Sequence, residues 1–468
     1  MDADFPNHAR WIDDAAKFTD EGWWASGAIH HNFTGQWLLP GDYNPIVAVP
    51  LWSVLLTPVF HRTGINAVAG RALAFLFTLG TVLVSGALMS RAGHPRLAPA
   101  AMLLIGASPI LFFFSRLAIL EPSLIFFLTA AALAACPQST PGSTPDTLRC
   151  ILCGILLTLA MLTKTSAIFV MPAIFFLLWF PYRHLWTGGS AARNSALRAL
   201  VVPAIAFAVC YGAYWVLVIH THPVDIHVFY HETSPTLGLK SIEKAVRIVY
   251  RSVTWLDPIL FPALLLFGLF FWRRAVQLLR DPLFGFALLF FLGYAAFMVL
   301  HFDAEPHYFA VLAVPLMLLV LLLLDSLRSH SPQAARALDL FILLAIAVNI
   351  GYDARLLWHP EYTLRDASLQ IRSRIQQDTQ ANQLVVGHGA IQTTLFNGIP
   401  ALDDLGSMPL PEKMEHYRPG WILVWSSDTA DFLDPAVANR FLIAPAGRFP
   451  AMDNPNRDAL LLYSVRYR

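Results

Sequence analysis

Charge is what this sequence has least of. Only 13% of its 468 residues are Asp, Glu, Lys or Arg, while 56% are hydrophobic; a soluble domain carries about 25% charged residues. With a mean hydropathy of +0.54, the chain reads as a polytopic membrane protein with at most one appended soluble part. It also lacks a basic run, and its net charge is +1, which argues against a nucleic-acid partner. Cysteine is scarce: Cys136, Cys150, Cys153 and Cys210 all lie in or beside apolar runs. Cys150 and Cys153 have CxxC spacing, but no second pair or histidine cluster accompanies them. They read as small buried helix residues, with metal or redox use as the alternative. No Walker-type or GxGxxG signature is present, and there is no internal repeat.

What is there in abundance is apolar run. About ten candidate spans fall near 67–90, 98–114, 117–135, 148–163, 165–182, 198–219, 258–272, 282–300, 307–325 and 338–352. The spans at 98–114 and 117–135 are joined by a tight turn, Ser115-Arg116. The stretch 136–147 is rich in Pro, Ser and Thr and reads as a flexible loop. Residues 45–61 are apolar but cut by Pro50 and Pro58, so they suggest interfacial helices. Ser241–Leu256 has helical spacing, with Ile242, Val246, Val249 and Val253 opposite Lys244, Arg247 and Arg251, and suggests an amphipathic helix on the membrane surface. After about residue 353, a helix-like 364–377 and strand-like Gln383–Val386, Trp421–Trp425 and Leu460–Val465 predict a small soluble α/β domain. The expected division is 1–66 as an outer loop, 67–352 as the membrane domain and 353–468 as the extracytoplasmic domain.

Positive residues set the sides. One set of loops carries Arg91 and Arg96, Arg149, Arg183, Arg193 and Arg198, Arg273, Arg274 and Arg280, and Arg328 and Arg336. The alternate loops are nearly free of Lys and Arg, with exceptions at Arg116, Lys164 and Lys240–Arg251. The first set is placed inside, which puts both termini outside. No signal peptide precedes residues 1–66. Either a first span is missing or this segment follows the first hairpin outward; the missing span is the expectation.

The span interiors are nearly uncharged, whereas a secondary transporter needs ionisable groups near the midplane. The unusual polar residues gather at the outer ends instead: Asp20, Glu21, Arg116, Glu121, Lys164, His220, His222, Asp225, His227, His231, Asp257, His301, Asp303, Glu305 and His307. Each also has a plain structural reading. Asp20 and Glu21 suit a helix start, and Trp23 and Trp24 suit an interfacial anchor. Glu121-Pro122 suits a first helical turn, a device repeated at Asp257-Pro258, Asp281-Pro282 and Glu305-Pro306. Asp281 falls on the inner side, where no chemistry is expected, and serves as a control. Lys164 suits snorkelling to the interface or a phosphate contact. The histidines, with Asp225 or Asp303, offer a divalent-metal site as an alternative to solvated residues, without ligand spacing on one helix face.

Four stretches carry a likeness: Thr19-Asp20-Glu21 followed by Trp23-Trp24-Ala25; Pro50-Leu51-Trp52 through Gly64 to Ala69-Gly70-Arg71; Ser115-Arg116-Leu117 through Glu121-Pro122; and Leu159 to Lys164. His307-Tyr308 before an apolar span adds to it. Over about residues 15–325 the chain resembles the polyprenyl-phosphate-sugar-dependent glycosyltransferases of the GT-C superfamily, near bacterial relatives of protein O-mannosyltransferases and lipid A aminoarabinose transferases. The resemblance implies a GT-C-like helical membrane fold whose lipid-carried donor needs no nucleotide-binding site; no cofactor is certain, and a divalent metal stays the alternative. It implies Asp20 as catalytic base with Glu21 its companion, and Glu121, standing where many relatives have Asp, in a second outer-loop site with Arg116. Substrate-binding candidates are Arg116, Lys164, His307, Tyr308 and Arg71.

The implied reaction is inverting transfer of a sugar from a polyprenyl-phosphate donor to a hydroxyl of a glycolipid, polysaccharide or protein acceptor. It would run at the extracytoplasmic face of the inner (plasma) membrane, among membrane lipid. A lipid-linked sugar flippase or transporter, and a non-catalytic membrane scaffold, are the other classes.

Overall fold

The computed structural model describes residues 19–136, 146–187, 190–232, 240–301, 305–328, 332–358, 364–379, 381–427, 429, 435–451 and 459–467. Phe18, residues 137–145 of the Pro-, Ser- and Thr-rich loop, and Asp303 lie outside them.

Helix α1 (Asp20–Thr34) opens with the acidic pair and closes at Gly35, whose φ of 77° lets its N–H return to the His31 carbonyl. Only glycine adopts that left-handed backbone without a Cβ penalty. The proline-cut stretch forms a short 3₁₀ turn, Pro45–Val47, and then α2 (Leu51–Thr63). Trp52, Leu56 and Phe60 of α2 pack with Ala25, Ala28 and Ile29 of α1.

The bundle follows as α3 (Ala67–Arg91), α4 (Ala98–Gly106), α5 (Pro109–Phe114), α6 (Glu121–Ala135), α7 (Thr147–Thr163), α8 (Met171–Trp179) and α9 (Ser190–Tyr214). Next come α10 (Pro223–Glu232), α11 (Lys240–Arg251), α12 (Leu260–Phe270), α13 (Trp272–Leu278), α14 (Pro282–Leu300), α15 (Phe309–Arg328) and α16 (Pro332–Trp358). Among the described residues six rods are long and apolar enough to cross a membrane: Ala67–Arg91, Thr165–Arg183, Arg193–Ile219, Pro282–Leu300, Pro306–Arg328 and Pro332–Arg355. The pair α12 and α13, bent by 100°, makes a seventh if counted as one span.

Ten full-length spans are therefore not reproduced. The run at 98–114 is broken where Ser108 turns to extended backbone before Pro109, because a residue before proline is pushed out of the helical region. Helices α6 and α7 have 15 and 17 residues, short of the roughly 20 that a bilayer core asks for. The chain is nonetheless a multi-pass membrane protein by its apolar helices.

Helix α15 sits at the centre: 89% of its apolar window is buried, against 6% for the span containing α9. A helix apolar all round belongs inside a bundle, and α15 lies against α14, α12, α4 and α16. The amphipathic segment forms α11, with Ile242, Val246 and Val249 exposed along it.

Past α16 the chain builds an α/β layer. Helix α17 (Leu364–Gln377) coincides with the predicted 364–377. Strands β1 (Val385–Val386), β2 (Ala401–Leu402), β3 (Trp421–Trp425), β4 (Phe441–Pro450) and β5 (Ala459–Tyr467) alternate with α18 (Ala390–Asn397) and α19 (Leu410–Tyr417). The sheet order is β2-β1-β3-β5-β4, with the first three strands parallel and β5 antiparallel to both β3 and β4. Ile371, Ile375, Ile391 and Leu395 cover one face, and Met414 packs on Val386, Ile422 and Val424 of the other. Such double coverage explains the unbroken apolar run of β3. Helix α18 packs directly on α1.

Candidate active site

Four helix ends meet at one end of the bundle: the starts of α1, α6 and the rod containing α15, and the finish of α7. Each contributes one ionisable side chain. Asp20 is in the first turn of α1, Glu121 begins α6, Lys164 follows α7, and His307 lies in a 3₁₀ turn that leads into α15. All four backbones are placed by ordinary apolar burial. The polar side chains are carried to the junction because the spans end there.

His307 ties the acids together. Its Nε2 lies 3.6 Å from Asp20 Oδ2 and 3.8 Å from Glu121 Oε1. Glu121 Oε1 also takes a close ion pair from Lys164 Nζ, and Lys164 Nζ sits 4.0 Å from the centre of the Tyr308 ring. Glu121 Oε2 is buried without a hydrogen-bond partner. Asp20 accepts a bond from Thr19 Oγ1 at 3.4 Å. Asp20, Glu121 and His307 are all buried. An ammonium, an imidazole and two carboxylates, desolvated together, can bind a phosphate and move a proton.

Glu21 has a different setting. Arg71 grips it in a two-pronged pair, Nε to Oε1 at 2.8 Å and an Nη to Oε2 at 2.7 Å. The Ala118 N–H adds a bond at 2.8 Å and Gln392 Nε2 another at 3.1 Å. Both partners of the ion pair are buried, so its polar atoms depend on these bonds. Arg116 lies in the turn that supplies Ala118, its guanidinium 5.5 Å from the Phe112 ring. The structure thus gathers Asp20, Glu121, Lys164, His307 and Tyr308 in one cluster, and Glu21 with Arg71 in an adjoining clamp.

Of the remaining histidines, His301 lies edge-on to Tyr308 with 5.2 Å between ring centres, and His227 and His231 face each other at 6.3 Å. His220 stacks on Trp215, and His222 contacts the Val218 carbonyl. Asp225 accepts from Asn44 at 3.0 Å. Among the described residues no three His, Cys, Asp or Glu side chains converge as metal ligands.

Sequence reasoning missed the contribution of the C-terminal layer. Gln392 reaches Glu21 and also accepts the Gly22 N–H at 2.6 Å. Trp23 donates its indole N–H to Asp403. Lys413, fully buried, donates to Asp42 at 2.9 Å and to the carbonyls of Asp403 and Leu405. Burial, with Asp404 and Asp42 nearby, pushes the Asp403 carboxyl well above the usual range. The one available signal was Gly22, a glycine inside the first turn of a helix, which marks close backbone approach.

A helical bundle with an α/β layer at one end is a fold shared with solved membrane proteins. ArnT from Cupriavidus metallidurans bound to undecaprenyl phosphate matches it with a TM-score of 0.63 at 14% identity, covering 97% of this chain and 95% of that one. The apo form of the same protein gives 0.60 at 13%, covering 96% and 95%. The Archaeoglobus fulgidus oligosaccharyltransferase in complex with Zn and sulfate gives 0.55 at 13%, covering 97% and 72%. At such identities the likeness establishes the fold. In sequence, residues 56–221 match the family model of the dolichyl-phosphate-mannose-protein mannosyltransferases. No curated protein matches the chain.

Proposed function

We propose that this protein is an inverting glycosyltransferase that moves a sugar from a polyprenyl-phosphate donor to an acceptor hydroxyl at the outer face of the inner membrane. The observation that carries this reading is His307 standing between Asp20 and Glu121, with Lys164 on Glu121, at one end of an apolar bundle. The family match over 56–221 and the undecaprenyl phosphate bound by the structurally similar ArnT support it. Residues 1–66 would form the outer loop that carries the acidic pair, 67–352 the transmembrane glycosyltransferase domain and 353–468 the extracytoplasmic domain.

In this mechanism the acceptor oxygen bonds to the anomeric carbon while the bond from that carbon to the phosphate oxygen breaks. Asp20 takes the acceptor proton. Lys164, with Arg116 and His307, stabilises the negative charge left on the lipid phosphate. The unpartnered oxygen of Glu121 suits the positive charge that develops on the sugar ring. Glu21 and Arg71 hold the acid pair in place, and Tyr308 steadies Lys164. The acceptor is a hydroxyl of a glycolipid, polysaccharide or protein.

The test is sugar transfer from radiolabelled polyprenyl-phosphate hexoses and pentoses in membranes. Asp20→Asn should lower turnover by about 10²–10⁴-fold, the usual worth of a general base, with insertion and melting unchanged. Near-normal turnover would remove Asp20 from the role. Donor translocation without any transfer would point to a flippase.

A further inference from the structure

Helix α1 begins without a cap of its own. Thr19 precedes it but makes no side-chain cap bond, although the first N–H groups of a helix need acceptors. The Gly22 N–H finds one in Gln392 Oε1 at 2.6 Å. The other end of the same amide, Nε2, donates to Glu21 Oε2 at 3.1 Å. Gln392 is 1% exposed and comes from α18, in the C-terminal layer. The approach requires glycine at position 22, because a Cβ there would meet Gln392 N at 2.4 Å. One side-chain amide therefore fixes both the backbone and the carboxylate beside Asp20.

We propose that Gln392 is a positioning residue: the C-terminal layer supplies, from a distant part of the chain, the cap and clamp that set the geometry of Asp20. This rests on Asp20 being the base. With the helix N–H capped elsewhere, the Asp20 carboxylate lies toward His307 and is held there by a rigid first turn. A shift of about 1 Å in a reacting group costs on the order of 10²-fold in rate.

The test uses the full chain in membranes with a polyprenyl-phosphate mannose donor, or a pentose donor if mannose is not turned over, and compares Asp20→Asn, Gln392→Ala and Gln392→Glu. Gln392→Ala should lower kcat on the order of 10²-fold with the donor KM little changed. Gln392→Glu keeps the acceptor for Gly22 N–H but sets a second carboxylate beside Glu21, and the two share a proton only as pH falls. Its kcat relative to wild type should therefore rise toward acid, where a purely structural cap would leave the ratio constant. If Gln392→Ala does not accumulate folded, the near-isosteric Gln392→Glu decides by that pH ratio. A dead Asp20→Asn beside a Gln392→Ala of near-normal kcat, or a flat pH ratio for Gln392→Glu, would overturn the positioning role alone. An active Asp20→Asn would overturn the base assignment first, and this proposal with it.

Discussion

The two ends of the bundle use the same residue types for different ends. At the end away from the acid cluster, charges complete helix termini. Asp281 accepts from the N–H groups of Leu283 and Phe284 at the start of α14. Arg91 and Arg149 donate to the Cys136 and Leu133 carbonyls at the finish of α6. These are the bonds that orphan helix ends demand. At the cluster end, Glu121 also precedes a proline at a helix start, yet it makes no cap bond and is turned to Lys164 and His307. The same acid-proline device is structural where it caps. Where the carboxylate leaves the cap position for other side chains, it is a candidate for chemistry.

The largest effect is expected at the clamp. Arg71→Ala would leave Glu21 buried and ionised beside two weaker donors. Breaking a buried pair in this way costs about 3–5 kcal/mol. Melting of the detergent-solubilised protein should fall sharply, and Glu21→Gln in the same chain should recover part of the loss. Arg71→Lys should not restore it, since a lysine lacks the planar fork. A melting temperature for Arg71→Ala equal to wild type would show that the clamp contributes nothing to the cluster end.

A paired substitution tests the contrast itself. Glu121→Gln should lower sugar transfer on the order of 10²-fold through lost electrostatic stabilisation, with little change in melting. Asp281→Ala should do the reverse: transfer intact, stability lower by about 1 kcal/mol for a lost N-cap. If both substitutions affected activity alike, the distinction between the ends would collapse.

Much of this was legible in the sequence, for physical reasons that differ by residue. The spans at 67–90, 165–182, 282–300 and 307–325 stand out because lipid requires long uncharged runs. Lys164 and His307 stand out because each breaks such a run. The interruption before Pro109 was not legible as a break, since it lies inside continuous apolar sequence; the bend between α12 and α13 falls where the expected span 258–272 ends, just before Arg273 and Arg274. Expected sidedness alone set Asp281 apart from Glu121 in the sequence; which of the two caps its helix was not legible, because capping depends on which way a carboxylate turns. Gln392 was beyond reach: it bonds to Glu21 across 371 positions, and nothing in its local sequence, Ala390-Ile391-Gln392-Thr393, marks it as different from any polar residue of a short helix.

The smallest effect lies at the end opposite the cluster. His94 Nε2 is 2.8 Å from Asp281 Oδ2, with side chains 23% and 21% exposed. The hydrogen bond with Asp281 raises the His94 pKa above its ordinary 6.5, outweighing burial, and the charges of Asp281 and Asp325 add to it. A raised folded value means that the pair's contribution is fully present below the unfolded pKa and is lost as pH rises through the folded one. For a pair this exposed, solvent screening holds the contribution to about 0.5–1 kcal/mol. Wild type should therefore melt slightly above His94→Gln below about pH 6 and equal it well above pH 8. Sugar transfer should be the same in both proteins at every pH, because the cap on α14 remains and the acids of the cluster are untouched. A melting difference that does not change with pH would mean that His94 acts by packing. A difference in transfer would mean that the two ends of the bundle are coupled, and that the charges opposite the cluster do more than finish helices.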